Sequence, residues 1–253
     1  MRVSRIYARN APILELGPKA GRTRSAILAA AEEQFSRHGY VATRLEDVAA
    51  AVGVKRAALF YHFADKQSLY DAVIASAFRP LVARLEEAFS AEGTPSLRLE
   101  RAVEVWVETI VERPTLARLI LRHAAEAEAH AAHGMFQGAE RLFRMAWALF
   151  EQGRASGDFQ PIHDDPFHAA SAVLGATVFY VAGFAALLPS ADFSPLAAEQ
   201  VEAHRRNALY TVRTLLGIRA PRSKSRGTAR SARAVRRVAS APKTRARRSA
   251  RAK

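Results

Sequence analysis

Between Thr43 and Phe63 two short segments of helical character meet at a single glycine, Gly53, and a turn that tight fixes how the flanking helices cross. Thr43 followed three residues later by Glu46 reads as a capping box. The threonine hydroxyl accepts from the Glu46 amide and the Glu46 carboxylate reaches back, so a helix is expected to start at Thr43. Ala49 is small enough for the next helix to pack across it, and Gly53 supplies the left-handed backbone conformation of the turn. In the second segment Leu59 and Phe63 lie four apart and face the core, which leaves the opposite side of that helix free.

The free side has the chemistry of a nucleic-acid reader. Lys55 and Arg56 reach phosphates or guanine edges, Ala57 and Ala58 allow close approach or contact with a thymine methyl, and Tyr61 and His62 donate to phosphate oxygens. Two plainer readings compete. Tyr61 and His62 also suit a helix surface that merely packs, and a helical pair around a glycine occurs in proteins that never touch DNA. Lys66 follows Asp65, which caps the next helix. Its ammonium is either solvated or set beside a phosphate that the helix-start amides also favour.

Charge has an address along the chain. Residues 1–82 carry 12 basic and 7 acidic side chains, residues 83–218 carry 12 and 17, and residues 219–253 carry 14 and none, within a formal net charge of +14. Basic ends around an acidic middle imply that the ends meet polyanion while the middle dimerises or binds a small molecule. After Ile218 the chain has almost no large apolar residue to offset the entropy of ordering, so a disordered tail is expected. Such a tail is either a solubilising appendage or a phosphate binder acting through counterion release. Residues 1–21 are expected to form a flexible arm; they hold four basic side chains and no apolar run of signal-peptide length, which fits a cytoplasmic, nucleoid-associated protein. The absence of cysteine excludes disulfides, thiolate metal sites and a cysteine nucleophile.

The spacing of apolar residues is helical nearly throughout, as in Ile27, Ala31 and Phe35, and no alternating strand pattern occurs, so the fold class is all-α. Prolines and caps divide the chain into about nine helices, over 23–38, 44–51, 55–62, 66–90, 96–112, 114–130, 135–156, 166–188 and 195–216. Pro114, Pro166 and Pro195 fall in first turns, the last two behind Asp165 and Ser194 as caps. Ala169 to Leu188 is 20 residues without charge, long enough for a membrane helix. Its small residues Ala172, Gly175, Ala176, Ala182 and Gly183, and its acidic flanks, fit a buried dimer helix better. Val201, His204, Ala208, Val212 and Leu215 make a stripe on the last helix, where His204 reads as an interface or core histidine rather than a ligand. Aromatic side chains of the middle region, Trp106, Phe143, Trp147, Phe150 and Phe179 foremost, line a pocket or fill the core. Arg118, Arg122 and Arg144 complement an acid or are surface charges. His123, His130 and His133 lack a carboxylate or nucleophile arrangement and a metal-ligand spacing, so neither an enzyme, a metal nor a cofactor is expected.

From Arg22-Thr23-Arg24-Ser25-Ala26-Ile27-Leu28, through Phe35, Gly39-Tyr40, Thr43 and Gly53-Val54, to Leu59-Phe60-Tyr61-His62-Phe63-Ala64-Asp65-Lys66, the chain resembles the DNA-binding domains of the tetracycline-repressor (TetR) family. The resemblance implies a DNA-binding domain over 22–82 with its helix-turn-helix at 45–64, an effector-binding and dimerisation domain over 83–218, and the tail beyond it. It implies phosphate contact from Thr43 and Arg44, base reading from Arg56 to Phe60, and phosphate clamps from Tyr61, His62 and Lys66. Phe60 stands where the family usually has tyrosine, and Lys55 where it usually has a serine cap, so the donor set facing the operator is altered. The implied protein is a homodimeric repressor, paired through helices 166–188 and 195–216, that leaves a palindromic operator when a small-molecule effector binds. An architectural DNA binder relying on the basic tail is the rival.

Overall fold

The computed structural model describes residues 18–126, 140–187 and 193–218, and among these every regular element is a helix. In chain order they are α1 (Pro18–Ala42), α2 (Leu45–Val52), α3 (Arg56–His62), α4 (Lys66–Ser90), α5 (Pro95–Glu112), α6 (Pro114–Ala125), α7 (Glu140–Ser156), α8 (Phe167–Ala182), α9 (Phe184–Leu187) and α10 (Ala198–Leu215). The first three fold into a small trihelical unit around Ile27, Ala31 and Phe35 of α1, Leu45, Val48 and Ala49 of α2, and Leu59 of α3, all buried. Burial of a side chain such as Leu59 contributes about 1.5–3 kcal/mol. At the turn Gly53 has φ 72 and ψ 29, and its amide and that of Val54 donate to the carbonyls of Ala50 and Ala49, which ends α2 within one residue.

α4 is shared between the two ends of the molecule. Asp65 caps it, accepting from Ser68 N at 2.7 Å while the Ser68 hydroxyl faces back to the Asp65 amide, so the helix starts immediately after α3. Along its 25 residues it packs first on α1, then on α5 and α7. The body is completed by α6 against α1 and α8, and by α10 against α8 and α5. Between α1 and the α5–α6 junction sits a buried polar joint. Glu32 accepts from Arg113, through Nε at 2.9 Å and through a terminal guanidinium nitrogen, and from the Thr115 hydroxyl at 2.6 Å. The expected boundary after residue 82 therefore falls inside a continuous helix.

Several sequence expectations are corrected. α1 starts at Pro18, inside the stretch expected to be a flexible arm, and runs past residue 38 through a kink at Gly39, where φ is 78 and ψ is 177. The capping box does not form. α2 starts at Leu45 with Arg44 as its uncapped N-cap, because Thr43 is buried and its hydroxyl donates instead to the Gly39 carbonyl at 2.7 Å. Pro166 precedes α8 rather than opening its first turn, although Asp165 does accept the Phe167 amide. α10 begins at Ala198, three residues after Pro195, with Ala197 and not Ser194 as its N-cap. The uncharged run 169–188 is broken: α8 stops at Ala182, a one-residue interruption at Gly183 follows, and α9 makes a tenth helix. No helix among the described residues is long and apolar enough to cross a membrane. The expected basic tail, the arm before residue 18, and His130 and His133 lie outside the described residues.

Candidate nucleic-acid interface

α3 turns its Leu59 side inward and presents Lys55, Arg56, Ala57, Phe60 and Tyr61 outward. Phe60 is 45% exposed and Tyr61 74% exposed, so both rings are open to a partner on this side of α3. The Arg56 guanidinium lies over the Phe60 ring, 5.5 Å from its centroid, and meets the Glu46 carboxylate of α2 at 2.7 Å. The fork of donors is thus aimed before any ligand arrives. Lys55 is the N-cap of α3 and makes no side-chain cap, leaving its ammonium to solvent. Ala58 is half-buried.

The remaining candidate residues form the shoulder around α3. Arg44 is exposed at the start of α2, whereas Thr43, 3% exposed and bonded to Gly39, is placed to set the turn into α2. His62 is half-buried with Nδ1 unpartnered. Burial, and then the neighbouring Arg24 guanidinium, pushes its pKa below the ordinary histidine value, so the ring is neutral at pH 7. Arg24 itself stacks on Phe63 at 4.9 Å. Lys66 is not simply solvated: Nζ donates to the Val41 carbonyl at 3.0 Å and lies 4.8 Å from the centre of the Tyr40 ring. Burial lowers its pKa while Glu126 opposes that shift.

Sequence reasoning missed the group that ties this shoulder to the body. Glu126, at the end of α6, accepts from the amides of Tyr40 at 2.6 Å and Val41 at 3.3 Å, just past the Gly39 kink. The positive φ of Gly39 requires glycine, and a Cβ there would also displace the Glu126 carboxylate from the two amides. One turn earlier Arg122 donates to the Arg37 carbonyl, and His123 Nδ1 lies 3.0 Å from the hydroxyl of Tyr70. Residues 86 apart leave no periodic trace in a sequence. The Glu46–Arg56 pair, ten apart across the turn, follows once the two helices are known to cross at Gly53.

In the body, α4, α5, α7, α8 and α10 form the walls of a half-open cavity of about 190 Å³. Trp106, Phe143 and Phe150 are among the residues that line it. Trp147 and Phe179 do not: Trp147 packs on Phe150 and Phe167 outside it, and Phe179 is exposed beside Phe184. Arg118, Arg122 and Arg144 are also absent from its walls. Trp106 is 4% exposed and its indole N–H has no hydrogen-bond partner, an arrangement that costs about 1–3 kcal/mol unless something accepts from it.

A trihelical head with a reading helix, joined through one continuous helix to a hollow helical body, defines a helix-turn-helix DNA-binding regulator. Residues 27–73 match the family described as bacterial regulatory proteins, tetR family. The HTH-type transcriptional regulator RutR of Escherichia coli (strain K12) is 29% identical over 180 residues, covering 71% of this chain and 77% of RutR. The HTH-type transcriptional activator FasR of Mycolicibacterium smegmatis is 32% identical over 100 residues, 40% of this chain and 46% of FasR. The fold is that of the ketosteroid transcriptional regulator KstR2 of Mycobacterium tuberculosis, with TM-score 0.59, 20% identity, and 76% of this chain and 94% of that one covered. Residues 27–73 carry the DNA-binding domain of the TetR family of transcriptional regulators.

Proposed function

We propose that the protein is a homodimeric repressor that leaves a palindromic operator when a small molecule occupies the cavity. The observation that carries this reading is α4. Its first turn, capped by Asp65, adjoins the reading helix, and its last turns supply Leu85 and Phe89 to the cavity wall. A ligand that spreads or tightens that wall therefore tilts the head, and Glu126 gives the body a second grip on it. Release is then differential affinity of two arrangements of one molecule. In this reading Arg56 and Phe60 meet base edges, while Arg44, Lys55, Tyr61, His62 and Lys66 meet phosphates. Thr43 acts through the backbone turn it holds.

Dimerisation is supported by what α8 and α10 leave uncovered. Phe167, Leu174, Phe179 and Tyr210 are exposed, and Gly175 and Ala176 form a small-residue strip, with nothing within 4 Å of where a Gly175 Cβ would stand. Two copies joined there would set their reading helices on successive turns of one DNA face, with half-sites roughly 34–36 Å apart. Selection of genomic fragments by the full-length protein, followed by footprinting and transcription from the bound promoter, tests the proposal. An inverted repeat whose occupation lowers transcription is the expected result. An asymmetric footprint refutes the dimer. Raised transcription makes the protein an activator, as FasR is named.

A further inference from the structure

An acidic side chain stands where the reading helix meets α2. Glu46, in the first turn of α2, contacts Arg56, the first residue of α3, through Nη1 at 2.7 Å, and the same guanidinium lies over the Phe60 ring. As a brace for the turn the pair contributes little, because both side chains are more than half exposed. On a surface that meets DNA, moreover, a carboxylate repels the phosphates around it. What Glu46 changes most is the behaviour of Arg56.

An unrestrained arginine gives up the freedom of a long side chain when it binds; one set between a carboxylate and a ring has given up much of it already. Paired with Glu46, the guanidinium carries little net charge as a unit and draws a phosphate weakly. The uncharged O6 and N7 acceptors of guanine do not meet that penalty. The contact engages Nη1 alone, so the rest of the donor fork is open to a bidentate acceptor.

We propose that Glu46 is a positioning residue that sets base specificity: from α2 it holds the Arg56 guanidinium toward a guanine edge and away from the phosphates. The proposal rests on α3 as the base-reading helix, and it assigns the selectivity of Arg56 to a side chain that reads no base itself. Discrimination is raised at the expense of total affinity.

Selection from a randomised duplex pool by the full-length protein, followed by fluorescence anisotropy across a salt series, tests this. Comparing the parent with Arg56→Ala identifies the base pair that Arg56 reads, where the parent is expected to prefer G·C over A·T about tenfold or more. Glu46→Ala should cut that preference to about threefold or less, tighten binding to scrambled DNA about three- to tenfold, and deepen the salt slope by about one as Arg56 turns to a phosphate. Asp47→Ala removes the same charge from the same exposed turn and leaves Arg56 paired; it should tighten selected and scrambled DNA alike. In an Arg56→Ala background, Glu46→Ala should change base preference no further. Glu46→Gln keeps the length and loses the charge; it should lower the preference too, and carries the test if the alanine variant does not fold. An unchanged preference in Glu46→Ala, or an equal loss in Asp47→Ala, overturns the proposal while Arg56 remains a base reader. Base preferences that survive Arg56→Ala at every position refute the base-reading role of Arg56, and the proposal falls with it.

Discussion

Replacing Glu126 by alanine removes the acceptor that the end of α6 offers to the Tyr40 and Val41 amides. The Tyr40 bond is short and half-buried, in a nest where Tyr40 packs on Phe35 and Tyr70 with Lys66 above it; the Val41 bond is longer and exposed. A hydrogen bond to a charged group contributes about 1.5–3 kcal/mol when buried, and water reaching the vacated amides returns part of that, so a loss of about 1–2 kcal/mol is expected. For a folded unit of this size that is a fall in Tm of about 2–8 °C. Glu126→Gln, which keeps an acceptor and loses the charge, should lose about half as much. If the grip transmits ligand binding, the ligand-induced loss of operator affinity should shrink by about five- to thirtyfold in Glu126→Ala, the same energy read as an equilibrium. Differential scanning calorimetry and operator anisotropy with and without ligand read both quantities. A Tm within 1 °C of the parent, by about 1 °C as the limit of a surface substitution, refutes the energetic argument. A lowered Tm with unchanged coupling makes Glu126 a static brace.

Four other expectations rest on separate observations. Glu32→Ala strands the partly exposed Arg113 guanidinium and the Thr115 hydroxyl, and should lower stability by about 2–3 kcal/mol in urea unfolding, less than for a fully buried pair. Arg56→Ala should weaken operator binding about tenfold or more and relax preference at one base pair per half-site, while changing affinity for scrambled DNA by less than about twofold. His204 is held neutral by burial, with Nε2 donating to the Thr177 hydroxyl oxygen, because that hydroxyl donates to the Val173 carbonyl. Its folded pKa lies below the ordinary value of 6.5, so the unfolded chain binds the extra proton and stability falls as pH drops below about 6.5; His204→Gln should flatten that slope in urea midpoints between pH 7.5 and 5.5. Removing residues 219–253, with 14 basic and no acidic side chains, should make the salt dependence of DNA binding shallower while preference for operator over scrambled DNA survives. Loss of that preference instead favours the architectural reading.

The head of the molecule was legible because its signals are local. Ile27, Ala31 and Phe35, the Gly53 turn, Leu59 and the Asp65 cap each act within one or two helical turns, and each stands where its spacing places it. The capping box failed for an equally local reason with a longer reach. The kink that Gly39 makes four residues earlier puts a carbonyl within reach of the Thr43 hydroxyl, and that bond turns the side chain into the core and away from the α2 amides. Trp106, Phe143 and Phe150 were recognisable as apolar, but nothing in their spacing says whether a wall or a void faces them; the cavity exists only once five helices are assembled.

The stripe on the last helix shows where periodicity itself runs out. Val201, His204, Ala208, Val212 and Leu215 do share one face, and that face is buried or half-buried in a single chain, where α10 packs on α8 and α5, so much of it is covered before any second copy arrives. A hydrophobic stripe states that a helix has a covered side and is silent on whose surface covers it. A different inference becomes possible after folding: apolar side chains that stay exposed among the described residues, such as Phe179 on α8 and Tyr210 on α10, offer a surface that a second copy could cover. The dimer surface is therefore argued from this remainder. Phe179→Glu at its centre should shift the protein toward monomer in sedimentation velocity and, by separating the reading heads, weaken operator binding more than it weakens binding to a single half-site. Equal losses on both DNAs would place the dimer contact elsewhere.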